Sequence, residues 1–176
     1  MQNTIRLLAA LLVACVYTSP LLADHKNHRH GKKLERVWVQ MIDSGNAYTS
    51  EELMPLFLKL KPVHPDDLFG TWEGGKFDGG LPDPINWYGK RFVSMEYVEP
   101  LLITAADGSI QVYEGLGAAR LREVLFENRV SATLIYDRQP IMDYFRKVND
   151  DLIIGWGEVK GDTPDFFFWL QRVSDE

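Results

Sequence analysis

The residues best suited to chemistry lie in a predicted hairpin over residues 130–148. Its four-residue turn over 137–140 brings Tyr136 and Ile141 opposite each other if the register is simple, and Asp143 follows on the second strand. Tyr136 and Asp143 are a candidate pair of a phenol and a carboxyl group on the two strands. Such a pair could act as acid and base if its pKa values were shifted. Arg146 could pair with Asp143 or with Asp137 in the turn, or bind the carboxylate or phosphate of a ligand bidentately.

A second cluster combines positive charge with aromatic rings. Lys90 and Arg91 follow closely after Trp87 and Tyr88. Stacking of the cations on the aromatic faces at the mouth of a barrel is one interpretation of this spacing. The alternative is a site that captures the anionic headgroup of a ligand.

Large aromatic side chains supply a candidate lining for an apolar site. Trp72 stands between Gly70 and Gly74, and Trp156 and residues 166–168 add further rings. They predict either a packed core or an aromatic-lined cavity with few polar groups, which is typical of small-molecule sites. The candidate ligand-binding residues are Trp72, Trp87, Lys90, Tyr136, Asp143, Arg146, Trp156 and Phe168.

Signals for an enzyme are few. The sequence has no Gly-x-Ser-x-Gly, no His-Glu-x-x-His, no phosphate-binding loop and no dinucleotide fingerprint. His64 is the single histidine after residue 30, and it lies in a proline-flanked loop. Tyr136 and Asp143 are the alternative catalytic pair. These observations favour a binding protein over an enzyme, and they predict no cofactor.

The elements that must position these residues are mostly strands. From residue 68 onward, short apolar or alternating runs are separated by Gly, Pro, Asp and Asn, as in antiparallel sheets. The predicted strands span residues 70–77, 90–97, 101–104, 109–114, 119–126, 130–136, 141–148, 152–159 and 166–173. About eight or nine strands in ~105 residues predict a closed up-and-down barrel or a strongly bent sheet.

Two short helices are predicted ahead of the strands, packed on the barrel. Apolar residues at helical spacing over 34–44 predict the first, and Gly45 offers its end. A hydroxyl cap at Thr49 predicts the start of the second, which Pro55 should distort and Pro62 should end. The predicted fold class is therefore mainly β.

The first residues are typical of a secretory signal. Arg6 precedes an uncharged apolar run over residues 7–14 that is too short to span a bilayer. Cleavage after Ala23 would make residues 1–23 the signal peptide. Alternatively, LVAC resembles a lipobox, in which case residues 1–14 are removed and Cys15, the only cysteine, is lipidated. Both readings predict export, to the periplasm or as a lipoprotein anchored in the outer membrane.

Charge is distributed unevenly. Residues 24–33, DHKNHRHGKK, predict a flexible basic linker that lies near anionic lipid headgroups. Its His25, His28 and His30 are only a weak candidate metal site, because no cysteine or well-spaced carboxylate completes a defined geometry. Residues 34–176 hold 14 Lys and Arg against 24 Asp and Glu, which argues against nucleic acid as a partner.

Several segments resemble known families. GTWEG, which contains Trp72, fits the pattern that names the bacterial GXWXG family, and glycine two residues before tryptophan also resembles the first strand of lipocalin-type calycins. WYGKRF resembles the next segment of the same family. Residues 118–161, followed by FFFWLQR, are similar to the domain of unknown function that usually follows it. The resemblance covers residues 53–172; it implies a calycin-like barrel without a settled activity. Tyr144 departs from it, where the family commonly has histidine.

The expected organisation is a signal, a basic linker over 24–33, helices over 34–62, and a barrel domain over 63–176 whose GXWXG part (63–115) precedes a hairpin part (116–174).

The predicted function is an exported carrier or sensor that holds a fatty acyl or similar small hydrophobic ligand, with Arg146 or Lys90 neutralising its acidic end. The alternatives are a hydrolase or isomerase acting on a lipophilic substrate in the same cavity, and a ligand-free interaction module of the envelope. A separate expectation is association with a membrane through lipidated Cys15 or the basic linker.

Overall fold

The computed structural model of the chain describes residues 20–161 and 165–174. Helix α1 spans Pro20–Ser44 and helix α2 spans Ser50–Phe57. Thr49 caps α2, because its hydroxyl accepts the backbone N–H of Glu52 while the Glu52 carboxylate accepts the N–H of Thr49. The predicted start of α2 is thus confirmed, with Pro55 inside the helix.

Ten strands follow in the described part of the chain, and eight of them close into an antiparallel barrel. They are β1 (Lys61–Pro62), β2 (Gly70–Lys76), β3 (Trp87–Phe92), β4 (Val98–Thr104), β5 (Ile110–Val112), β6 (Ala119–Phe126), β7 (Arg129–Tyr136), β8 (Ile141–Lys147), β9 (Leu152–Val159) and β10 (Phe166–Arg172). The ring runs β2-β3-β4-β6-β7-β8-β9-β10 and closes from β10 to β2. The predicted up-and-down, calycin-like barrel is confirmed.

The remaining two strands lie beside the ring. β5 pairs with β4, whereas β4 and β6 share a single residue pair, Val98 with Ala119. β1 pairs with the last residues of β8. The Ser131 hydroxyl joins residues 61–63 to the wall, since it donates to the Phe145 carbonyl at 2.7 Å and accepts the Val63 N–H at 2.9 Å. Residues 61–63 therefore keep the wall closed where the direct pairing of β7 with β8 has ended.

The barrel interior is filled by alternate side chains of the strands. Its buried apolar cluster consists of Val63, Leu68, Trp72, Phe92, Val98, Ala119, Leu121, Ala132, Leu134, Tyr136, Phe145, Ile153, Phe168 and Leu170. We call the end where β3, β8 and β10 begin the rim. The other end, the base, is entered by a 3₁₀ turn over Pro65–Leu68.

Trp72 plugs the base of the barrel. Its indole is fully buried and donates its N–H to the Leu68 carbonyl at 2.7 Å. The Arg172 guanidinium lies 4.2 Å from the centre of the indole ring and donates to the carbonyls of Phe69 and Asp67. The stacked pair holds the 3₁₀ turn across the end of the barrel.

The glycines on either side of Trp72 have separate functions. Gly70 has a φ of 118°, a conformation that other residues rarely adopt. A Cβ atom on Gly74 would lie 2.5 Å from Cη2 of Trp87, whose indole crosses the interior at this point. The indole N–H of Trp87 donates to the Gly89 carbonyl at 2.8 Å, which fixes the ring there. Gly74 therefore provides room for Trp87 rather than for Trp72.

A second buried cluster lies outside the barrel wall, beneath the two helices. Trp38 of α1 packs edge-on against Phe77, with 5.8 Å between the ring centres. Phe57 of α2 packs in the same manner against Phe167 of β10, at 5.5 Å. The helices thus cover the outer face of β9 and β10, so these strands are buried on both sides and their sequences read as continuous apolar runs.

Helix α1 is longer than the sequence predicts. It begins at Pro20, so residues 24–33 are helical rather than a flexible linker. The packed second half of α1 can support the helix, and a preceding segment without proline can then extend it. Cys15 and the side chains of His25, His28 and His30 lie outside the described residues. Within residues 20–161 and 165–174, no helix is long and apolar enough to cross a membrane.

Strand β3 also differs from its prediction. It spans Trp87–Phe92 rather than residues 90–97. The chain turns over residues 93–97, where the backbone N–H groups of Val93 and Ser94 both donate to the Tyr97 carbonyl. The alternation of residue types continues through this turn, and for that reason periodicity alone placed the strand three residues too late.

Substitution of Gly74 by alanine is expected to lower the free energy of unfolding by about 1–3 kcal/mol, because the new methyl group must displace Trp87 or shift the backbone. Urea denaturation followed by circular dichroism measures this change. Gly31→Ala is the matched control: no atom lies within 4 Å of its Cβ position, and alanine favours the helix, so stability should rise slightly. Equal effects of the two substitutions would contradict the assigned role of Gly74.

Candidate functional site

An ion pair crosses the centre of the barrel. Lys90 on β3 and Asp143 on β8 approach to 2.8 Å between Nζ and Oδ2. The two side chains are 3% and 0% exposed, so the pair is removed from solvent. β3 and β8 stand on opposite sides of the eight-stranded ring, and the contact therefore links facing walls.

The Lys90 ammonium group has two further oxygen neighbours. It donates to the Pro100 carbonyl at 3.1 Å and to the Tyr136 hydroxyl at 3.2 Å. Three aromatic rings surround it, with Nζ 5.6 Å from the centres of Trp87 and Tyr136 and 4.9 Å from that of Phe168. Together these groups form an aromatic cage around a buried cation. We call Lys90, Asp143 and Tyr136 with these rings the central cluster.

Local backbone irregularity places Lys90 inside. The register of β3 against β4 shifts between Trp87 and Gly89 and again between Gly89 and Arg91. Because of this bulge, Trp87 and Lys90 both face the interior although they are an odd number of residues apart. A Cβ atom on Gly89 would lie 1.9 Å from the Trp72 carbonyl oxygen, so only glycine fits where β3 approaches β2 this closely.

The surroundings shift the ionisation of both acidic groups in the central cluster. Burial raises the pKa of Asp143, while the neighbouring Lys90 charge and the Tyr136 hydroxyl act in the opposite direction. Burial and the adjacent Asp143 carboxylate raise the pKa of Tyr136 well above its ordinary value. Tyr136 is therefore a protonated phenol at neutral pH.

The Asp143 carboxylate is incompletely satisfied. Among the described residues, Lys90 and the Tyr136 hydroxyl are the two donors beside its oxygens, whereas an ionised carboxylate has about four acceptor positions. A buried acceptor position without a donor destabilises the folded protein, because the hydrogen bond that water made to it has been lost. The central cluster thus contains acceptor capacity that these residues do not use.

Packing around the central cluster is dense towards the base and looser at the rim. Phe92, Phe145 and Phe168 are 0–1% exposed, which leaves no water-sized space against their surfaces. At the rim, Trp87 is partly exposed and Phe166 is 40% exposed. Access to the central cluster is therefore from the rim.

Arg146 does not face the barrel interior, contrary to the expectation that it would pair with Asp143 or Asp137 or neutralise a ligand there. It alternates with Asp143 along β8, so its side chain lies on the outer face, where it is 1% exposed beneath Phe57 of α2. Its guanidinium donates to the carbonyls of Phe145 and Phe126, each at 3.1 Å. Burial and nearby Arg129 lower the pKa of Arg146.

Trp156 also lies on the outer face of the wall. It stacks with Phe126 and Tyr144, with ring centres 4.9 Å and 5.3 Å away. The Tyr144 hydroxyl donates to Glu158 at 2.8 Å, and burial together with this carboxylate raises the pKa of Tyr144 to about 12. Of the predicted ligand-binding residues, the structure brings together Trp87, Lys90, Tyr136, Asp143 and Phe168, leaves Trp72 at the base, and separates Arg146 and Trp156 from them.

Other surface features lie away from the central cluster. One groove runs along α1 between Arg29 and Gln40, and another lies at the base near His64 and Lys147. In the described ranges, no group of three or more His, Cys, Asp or Glu side chains is arranged to hold a metal ion. The sequence analysis named residues 166–168 as candidate lining, but it missed two contributors: the Pro100 carbonyl and Gly157. The glycines inside the apolar strand β9 were the available signal for a position that an aromatic ring could cover.

Replacement of Lys90 by methionine is expected to lower the free energy of unfolding by about 3–5 kcal/mol, because Asp143 becomes a buried charge without a partner. Asp143→Leu alone should destabilise in the same way. The double substitution should be more stable than either single one, since both charges are then absent. Urea denaturation of all four proteins forms a double-mutant cycle, and simple additivity would argue against the pair.

Acidic pH provides a second readout of the Lys90→Met protein. Loss of Lys90 removes the charge that lowers the pKa of Asp143, so burial raises this pKa further. Between the pKa of Asp143 in the unfolded chain and its higher pKa in the folded protein, only the folded protein keeps this carboxyl group protonated. The free energy of unfolding therefore falls as pH rises through this range. The deficit relative to wild type should therefore be smaller at mildly acidic than at mildly alkaline pH, whereas an unchanged deficit would argue against a buried ionised Asp143.

Similarity to known proteins agrees with the architecture. The GXWXG protein family matches residues 55–108, and a domain of unknown function (DUF4334) matches residues 117–172. A protein from Thermomonospora curvata with a crystal structure is 44% identical in sequence to this chain, and the two structures superpose with a TM-score of 0.74. The match covers 81% of this chain and 99% of that chain. None of the curated proteins matches this chain. The chain therefore belongs to the GXWXG family, and its DUF4334 segment completes the barrel that the GXWXG segment begins.

Proposed function

We propose that this protein binds a small, mostly apolar ligand, such as a fatty acyl or other lipid-like molecule, at the rim of the barrel. The observation that carries this proposal is the buried Lys90–Asp143 pair inside an aromatic cage. The barrel fold is compatible with ligand binding. Sites for small molecules typically combine aromatic walls with a few precisely placed polar groups, as the central cluster does.

The buried ion pair is better explained by a binding function than by a contribution to stability. Burying a lysine and an aspartate requires the loss of two hydration shells, and apolar residues of similar volume are often as stable or more stable. A barrel that served only as a structural module would not need charges at its centre. Their position below a partly exposed aromatic rim is what a polar anchor for an apolar ligand requires.

The rim provides the apolar contact surface. Phe166 is 40% exposed, and Trp87, Leu116 and Ile141 are partly buried around the interior cluster. Since the interior below is densely packed, a ligand enters by displacing side chains at the rim. An exposed phenylalanine changes rotamer in picoseconds to nanoseconds, so this displacement does not require unfolding of the barrel.

Fluorescence of the neutral probe N-phenyl-naphthylamine tests this proposal. The wild-type protein should enhance the probe fluorescence saturably. Phe166→Arg should weaken this binding at least about tenfold, because the probe would then meet a charged side chain at the rim. Native mass spectrometry of the purified protein should also show a bound lipid-like mass.

Leu125→Arg is the matched control. Leu125 is an exposed apolar side chain, 68% accessible, near the far end of the barrel on β6, so its replacement should leave probe binding unchanged. Absence of saturable binding by wild type, or equal effects of the two substitutions, would overturn the proposal.

We also propose that α1 rests on an anionic lipid surface. Arg29, Lys32, Lys33 and Arg36 are exposed and follow the spacing of a single helix face. The apolar side of the same helix is occupied by Trp38 against the barrel. The positive stripe therefore faces outward from an otherwise acidic chain, and each basic residue near an anionic membrane contributes about 1 kcal/mol.

Co-sedimentation of the full chain with vesicles tests this second proposal. Binding to phosphatidylglycerol vesicles should exceed binding to phosphatidylcholine vesicles and should decrease with salt. Lys32→Glu/Lys33→Glu should reduce it by at least about tenfold. Lys59→Glu/Lys160→Glu, with the same charge change at two exposed positions elsewhere, should retain it; equal losses would contradict a docking function for α1.

A further inference from the structure

The hydrogen-bonding capacity of the central cluster determines what a ligand can offer it. A lysine ammonium group has three N–H donors and no acceptor. Three protein oxygens lie within 3.2 Å of Lys90 Nζ: Pro100 O, Tyr136 Oη and Asp143 Oδ2. All three donors are therefore directed to the protein, and Lys90 has none left for an acidic ligand.

Tyr136 offers no free donor to an incoming acid either. Its oxygen already accepts from Lys90, and its hydroxyl lies against the Asp143 carboxylate. A protonated phenol next to a carboxylate directs its proton towards that negative charge. An anionic ligand would thus meet Asp143 without a cation to compensate it.

The Asp143 carboxylate is the group with unused capacity. The side chain is fully buried, and among the residues that the structure describes two donors face it, one N–H of Lys90 and the Tyr136 hydroxyl. An ionised carboxylate has about four acceptor positions and no donor. Buried groups of this kind are nearly always satisfied in functional proteins, by protein, water or ligand.

The wall beside Asp143 contains a bare position that leads to the rim. Asp143 pairs across the sheet with Gly157, and Gly157 pairs in turn with Phe166. A Cβ atom on Gly157 would lie 2.6 Å from Cζ of Phe166, so the phenylalanine ring covers this glycine. Rotation of the partly exposed Phe166 side chain uncovers a surface without side chains next to Asp143.

We infer that the ligand of this barrel carries an uncharged hydrogen-bond donor such as a hydroxyl, which binds Asp143 over Gly157 when the Phe166 ring moves aside. This inference rests on the proposed binding function and narrows its ligand class. It also corrects the expectation of an acidic headgroup held by Lys90 or Arg146, because Lys90 is engaged and Arg146 lies outside the wall.

A series of ligands with one alkyl chain and different headgroups tests the inference. Decanol and decanoate are each titrated against wild-type protein that has been loaded with N-phenyl-naphthylamine. Decanol should displace the probe at about tenfold lower concentration than decanoate, because an uncompensated buried charge is less favourable than a hydrogen-bonded group. Stronger or equal displacement by decanoate overturns the inference while the binding function stands.

The Lys90→Met/Asp143→Leu protein supplies the control for the headgroup. It retains the rim, so it should still bind the probe, but it should bind decanol about tenfold more weakly than wild type does, because the acceptor for the hydroxyl is absent. Unchanged affinity for decanol in this protein overturns the assignment to Asp143. Failure of wild type to bind the probe at all overturns the binding function itself, so the two failures give different results.

Asp143→Asn provides an isosteric comparison. Asparagine keeps one acceptor oxygen but loses the negative charge, so the advantage of decanol over decanoate should fall by about tenfold. Because this variant leaves Lys90 unpaired, its folding is checked by circular dichroism. The wild-type headgroup series decides the inference independently of this variant.

Discussion

The contact between Lys90 and Asp143 is the interaction on which the interior of this barrel depends. Each charge is stable at the centre only because the other lies 2.8 Å away. Since β3 and β8 face each other across the ring, the pair also constrains the width of the barrel. Tyr136 and Pro100, on two further strands, complete the surroundings of the ammonium group, so four strands share one electrostatic centre.

Glycines determine how the rest of the interior is filled. An eight-stranded barrel has little more internal space than its own side chains occupy. Inward-facing glycines here let aromatic rings lie directly against the wall: Trp87 at Gly74, Phe168 at Gly155 and Phe166 at Gly157. The result is a dry, aromatic environment around the charged pair, in which electrostatic interactions are stronger than in water.

The wall of β8 separates two different charge environments. On its inner face Asp143 is balanced by Lys90, so the interior is close to neutral. On its outer face Arg146 is buried against Phe57 and donates to backbone carbonyls, and its Nε has no partner among the described atoms. Helix α2 thus covers a positive group that neutralises no acid in the interior.

The residue pattern by itself determined the fold class and most strand limits. Polar turns between apolar runs reproduce β6 and β9 to the residue, and Thr49 with Glu52 marks the start of α2, because these signals act over a few neighbouring residues. The family membership followed from GTWEG and the segments after it. Residues 24–33 were misjudged as a flexible linker, since helix propagation from the packed half of α1 is not visible in their composition.

The tertiary structure alone decided which charges meet. Alternation along β8 separated Asp143 from Arg146, but it did not say which face was the inside, because both faces of this strand are buried. The bulge at Gly89 turned Lys90 inward, and a register shift of this kind arises from packing between strands rather than from local sequence. The partner of Asp143 is 53 residues away in the chain, and only closure of the barrel brings the two together.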